Sequence, residues 1–122
     1  MKISIMREAA ALADDALEDW GPVGLPQGEP VSRLSGKILE MSADEDIESG
    51  IWQCTPGRWR RQVKKAEFCH FLKGRCSFTP DHGGAPIEIA AGDSLFFPAF
   101  SEGIWDVKET VRKVFVVFEW EA

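Results

Sequence analysis

An all-β antiparallel barrel or sandwich is the fold this sequence predicts, and three observations predict it. About nine short strand-like stretches follow one another at close spacing with turn residues between them. No long helical pattern occurs after residue 30. The last stretch, Val111–Trp120, is apolar on both faces: Val114, Val116, Phe118 and Trp120 alternate with Phe115 and Val117. A strand apolar on both sides must be covered on both sides. In a chain of 122 residues the second cover is most simply another subunit, so a homodimer is expected.

The elements follow in order. Residues 7–20 carry Ala10, Ala13, Leu17 and Trp20 at three-to-four spacing among acidic residues. That pattern is either a short amphipathic helix or an acidic arm packing through Leu17 and Trp20. GPVGLPQGEP, residues 21–30, is extended irregular backbone. SGKILEMS is a strand and ADEDIES a charged turn, followed by the strand Ile51–Cys54 and a Thr55-Pro56-Gly57 turn. In the next strand Trp59, Arg61 and Val63 share one face and Arg58, Arg60 and Gln62 the other. Ala66–Leu72 puts Glu67, Cys69 and Phe71 on one side and Phe68, His70 and Leu72 on the other. Lys73-Gly74 reads as a turn into Arg75–Thr79, and PDHGGAP as a loop. Pro86–Ala90, Ser94–Phe97, Gly103–Lys108 and Val111–Trp120 complete the set. The division expected is an N-terminal arm, 1–34, packed on a barrel, 35–122.

Composition narrows the function. Hydrophobic residues make up 44%, with eight Phe and five Trp, enough for one packed interior. The net charge of −6 argues against a phosphate backbone as partner. No run approaches the ~20 apolar residues of a membrane helix. The first 20 residues lack an unbroken apolar core, so they do not read as a secretory signal. The odd set Cys54, Cys69 and Cys76, with no CxxC spacing, then reads as reduced thiols in a cytoplasm.

The motifs resemble a cupin. Glu67 and Gly74, with FCHFLK between them, match the second half of the first cupin motif; Gly92 and Pro98, with DSLFF between them, match the second. GIWQCTPGRWR, EFCHFLKG, AGDSLFFPAFSEGIWDV and VRKVFVV are similar to the small single-domain cupins of the ureidoglycine aminohydrolase and ethanolamine-utilisation type. The resemblance covers residues 35–118 and implies an antiparallel double-stranded β-helix, the cupin or jelly-roll barrel. It also implies a small ligand that is polar, anionic or ureido-like. Three of the four usual metal positions depart from the pattern. The HxH pair falls on Arg61 and Val63, or on Arg60 and Gln62, and the second-motif histidine falls on Gly103. Only Glu67 remains, where a metal site needs three or four donors. Neither the standard metal nor another cofactor is therefore expected.

Glu67 is the residue around which any chemistry would gather. A carboxylate facing an apolar interior needs a partner, and Arg61 is the natural one. The pair is either a structural remnant or a ligand site in which Glu67 acts as acid or base. Trp52 and Trp105, each after Gly-Ile, either wall a pocket or pack the core. Cys69 shares the face of Glu67 and reads as an inert buried thiol for want of a base. His70, on the opposite face, reads as a hydrogen-bonded residue, and His82 as exposed in its loop. Arg58, Arg60, Arg61, Lys64 and Lys65 read as a solvated strand pair balanced by Asp44–Glu48. The expected function is small-molecule binding in a pocket of Trp52, Arg61, Glu67, Cys69 and Trp105. The alternatives are a metal-independent hydrolase- or lyase-like enzyme on a ureido- or carboxylate-bearing metabolite, and a non-catalytic accessory subunit of a metabolic assembly.

Overall fold

The computed structural model describes residues 1–120. Eight strands, all paired antiparallel, carry the fold: β1 Glu18–Pro22, β2 Arg33–Met41, β3 Glu48–Cys54, β4 Gly57–Val63, β5 Ala66–Pro80, β6 Ile87–Ala90, β7 Ser94–Phe97 and β8 Ser101–Phe118.

Two of these are long, and they build the barrel. The first half of β5 pairs with β7 and with the C-terminal half of β8, which also pairs with β3. The second half of β5 pairs with β6 and with the N-terminal half of β8, which also pairs with β4. One leaf therefore runs β1-β2-β3-β8-β5-β7 and the other β4-β8-β5-β6, with β5 and β8 bending through both. The expected turn at Lys73-Gly74 is instead a bend inside β5. Register shifts cluster between Phe71 and Cys76, and Gly74 sits at φ +88°. A Cβ on Gly74 would lie 2.2 Å from the Thr110 carbonyl oxygen, so only glycine lets the two long strands cross the corner together. The same bend makes the expected strands Gly103–Lys108 and Val111–Trp120 one strand, β8, which ends at Phe118, two residues short of the expected limit.

The expected helix over residues 7–20 does not form. The arm carries two single 3₁₀ turns, Ala9–Ala11 and Asp14–Ala16, separated by extended backbone at Leu12 and Ala13. The cause is Arg112. Its fully buried guanidinium takes the carbonyl oxygens of Ala9 (2.9 Å), Ala10 (3.3 Å) and Leu12 (2.8 Å). An α-helix would have used those acceptors internally. Asp14 Oδ1 (3.2 Å) and Gln53 Oε1 (2.8 Å) complete the set. Leu17 is buried as expected, and Trp20 is carried into the first leaf on β1.

The core fills the space between the leaves. Cys54, Trp59, Cys69, Phe71, Cys76, Phe78, Ile89, Phe97, Trp105, Val107 and Val111 form one buried cluster with Val23. Phe78 meets Phe97 and Trp105 edge-on, with ring centroids 5.2 and 5.1 Å apart.

Candidate functional site

Strand alternation decides what enters the barrel. On β4 the inward residues are Trp59, Arg61 and Val63, so of the two registers open from sequence it is Arg61 that faces in. On β5 Glu67 is inward, opposite Val117 and Phe97. On β8 the inward set is Lys113, Phe115 and Val117, with Lys113 opposite Trp52 of β3. Arg61, Glu67, Lys113, Phe115 and Val117 line a cavity of about 260 Å³ together with Glu48, Gln62, Val63 and the tryptophans Trp20, Trp52, Trp59 and Trp105.

The cavity is closed at its base by three charges. Glu67 Oε1 accepts from Arg61 Nη2 at 2.6 Å, and Lys113 Nζ lies 2.7 Å from Oε2. That second contact is an ion pair rather than a directed hydrogen bond, since Oε2 lacks a partner at hydrogen-bonding angles. All three side chains are 4–6% exposed. Aromatic faces carry the cations: the Arg61 guanidinium sits 4.0 Å from the Phe97 ring centroid and Lys113 Nζ 4.3 Å from that of Trp52. Burial pushes the Glu67 carboxyl up, but the attraction of Lys113 and Arg61 outweighs it and holds the pKa below the usual carboxylate value. Burial lowers that of Arg61 against the pull of Glu67, and a guanidinium remains charged throughout the accessible range. Glu67 is therefore an ionised, pinned carboxylate, not a proton donor at neutral pH.

Trp52, Arg61, Glu67 and Trp105 line one cavity. Cys69 does not: it is fully buried in the core, and its register partner Phe115 lines the cavity instead. His70 faces outward, with Nδ1 2.7 Å from Ser94 Oγ, and His82 is exposed in its loop. Of the five clustered cations, only Arg61 turns in. Arg60 pairs with Asp81 and lies 3.6 Å from Glu102, Arg58 pairs with Asp106, and Lys65 alone reaches the acidic turn, at Asp46.

Lys113 was missed from sequence, although the signal was present. The alternation that puts Phe115 and Val117 on one face of the last strand puts Lys113 there too. Trp20 was missed as a wall because the arm's own pairing hides it. Its ring lies over Gly36, where an added Cβ would come within 2.2 Å of the ring and 2.3 Å of the Ile51 carbonyl oxygen.

The thiols are shielded. Desolvation pushes Cys54 and Cys69 up to about 11 and Cys76 up to about 12. At pH 8 the native protein is expected to resist iodoacetamide at all three positions, whereas the denatured chain reacts fully. A thiol pKa raised on folding favours the fold below its unfolded value, near 9, and loses that contribution as pH rises towards 11–12. Labelling of any of the three thiols in the native protein would contradict their shielding.

A metal does not fit this donor set. At the four positions where a cupin would place ligands stand Arg61, Val63, Glu67 and Gly103, and both oxygens of the single donor face side-chain cations. Among the described residues no group of three or more His, Cys, Asp or Glu is placed to hold a metal ion.

A bent antiparallel barrel with Glu67 on its inner wall and the Gly92–Pro98 spacing on its second half is the architecture of a cupin. The chain belongs to the EutQ-like cupin domain family, whose sequence profile matches residues 41–115. No curated protein matches by sequence. Among solved structures the fold is similar to the EutQ protein of Clostridium difficile (TM-score 0.62, 16% identity, covering 80% of this chain and 81% of that one). It is also similar to a DUF861-family protein of unknown function from Pseudomonas syringae (TM-score 0.73, 21% identity), covering 83% of this chain but 43% of that one. A Rhizobium leguminosarum protein of unknown function matches over 98% of this chain and 100% of its own (TM-score 0.66, 14% identity). These likenesses establish the fold.

Proposed function

We propose that this cupin binds a small polar metabolite in the cavity between its leaves, as a cytoplasmic homodimer and without the usual cupin metal. One observation carries the reading. A cavity of about 260 Å³ is walled by four of the chain's five tryptophans and floored by buried charge. That volume is just under the roughly 300–1,000 Å³ of pockets that take drug-sized ligands, so the occupant is smaller. The lowered Glu67 pKa argues against the enzyme alternative with Glu67 as acid. A floored polar cavity is also more than a purely accessory subunit needs. No helix among the described residues is long and apolar enough to cross a membrane. Thermal-shift screening against a metabolite library, followed by a high-resolution electron-density map beside Glu67, tests the reading. Failure of every small molecule to raise the melting temperature would refute it.

The homodimer draws support from the outer face of the first leaf. Phe68 and Phe96 are each 46% exposed and directly paired, and Phe96 packs on Phe118 and Trp120. Val114 and Val116 continue the same half-buried face, whose other end the arm covers through Arg112 and Gln53. Phe96→Asp is expected to give a monomer by analytical ultracentrifugation at micromolar concentration while leaving the cavity intact. A parent protein that is already monomeric there would contradict the dimer.

A further inference from the structure

We infer that the cavity selects a planar monocarboxylate, held between Arg61 and Lys113. The inference rests on the cavity being a binding site and goes further by fixing the charge and shape of what binds. Two buried cations face one buried carboxylate, so the floor carries a net charge of +1. The surplus has donors to spare. Arg61 Nη1 is buried with no hydrogen-bond partner, on a side chain 4% exposed that lines the cavity. Lys113 offers three protons, and the one ion pair it makes among the described residues is with Glu67. An unpartnered buried donor costs about 1–3 kcal/mol, and a ligand oxygen removes that cost. A carboxylate can receive from both nitrogens at once, neutralising the floor and giving Arg61 Nη1 the acceptor it lacks.

The walls set the rest. Trp52 is tilted 38° to Trp59 and 35° to Trp105, with centroids 6.3 and 6.1 Å apart, forming a shallow aromatic cup that suits a flat unsaturated body. A second negative charge is disfavoured. Only one positive charge of the three is unbalanced, and Glu48 lines the same cavity, so a second ligand charge would meet a carboxylate. Phosphates and dicarboxylates are therefore excluded in favour of a monoanion.

The test compares, on the native protein, three probes built on one benzene ring: benzoate, its neutral amide benzamide, and the longer dianion terephthalate. Binding is followed by tryptophan fluorescence and isothermal titration calorimetry at low salt. Benzoate is expected to bind at least tenfold more tightly than either of the others, the discrimination expected of a charge-assisted hydrogen-bond pair. In variants shown folded by circular dichroism, Lys113→Met is expected to erase the preference for benzoate over benzamide. Adding Glu67→Gln to Lys113→Met restores the +1 floor and is expected to restore the preference. A purely structural role for Lys113 would not be rescued by removing a second charge. Benzamide binding as tightly as benzoate would overturn the inference while leaving the cavity a binding site. Failure of all three probes at millimolar concentration would overturn it too, and a blank metabolite screen alongside would remove the cavity reading as well.

Discussion

Replacing Glu67 with leucine is expected to lower the folding free energy by about 3–5 kcal/mol, because it strands two buried cations in an aromatic cup. In a domain of this size that is a fall in melting temperature of roughly 10–20 °C. The loss comes from uncompensated charge, not from the bare worth of the ion pairs. A triple variant, Arg61→Leu with Glu67→Leu and Lys113→Met, is accordingly expected to recover most of it, since an apolar core of similar volume replaces such a cluster at little or no cost. The pH dependence follows from the same carboxyl. Its pKa is lower folded than unfolded, so its contribution is complete above about 4.5 and is lost as the pH falls through the folded value. The parent should therefore lose stability below pH 4.5 more steeply than the triple variant, as read by urea unfolding across pH 3–6. A cost below 1 kcal/mol for Glu67→Leu alone would mean that water reaches the floor.

Arg112→Ala is expected to release the arm and cost about 3 kcal/mol or more. Five acceptors converge on this one fully buried guanidinium: three arm carbonyls, Asp14 and Gln53. Hydrogen bonds from a charged donor contribute about 1.5–3 kcal/mol each, but they share one side chain and do not add. Released, the arm would uncover Leu17 and the outer face beside Gln53, and it would loosen β1, whose one strand partner among the described residues is β2. Trp20 rides on β1 into the cavity wall, so the variant should also change the tryptophan emission. Hydrogen exchange over residues 9–17 is the direct readout. Protection unchanged from the parent would show that the arm holds by other contacts.

Much of the barrel could be read from alternation alone. A two-residue period, once started at Trp59 or Glu67, places every inward side chain of β4 and the first half of β5, and it needs no tertiary information. The two corrections to the strand map share one cause. Glycine is ambiguous between a turn and a bend, and Gly74 marks a corner that β5 rounds without reversing because β8 rounds it alongside. The arm was misread because three-to-four spacing reports only which side chains cluster. It cannot report that an arginine about 100 residues later captures the carbonyls a helix would need. Lys113 lay hidden for a different reason: a lysine in a run of valines looks like a solvated break, and only the parity of Phe115 and Val117 shows it facing in. The Arg61–Glu67 partnership was legible because burial of a lone carboxylate demands a cation, and Arg61 was the inward one in reach.

Side-chain cations stand where a cupin would keep its metal. A crystal structure of protein purified without chelator, with anomalous data collected at the zinc, nickel and manganese edges, tests it most directly. Glu67 should lie between Arg61 Nη2 and Lys113 Nζ with no anomalous peak beside it. A peak within bonding distance of Glu67, with Lys113 swung away, or a carboxylate turned out into bulk water, would contradict the account.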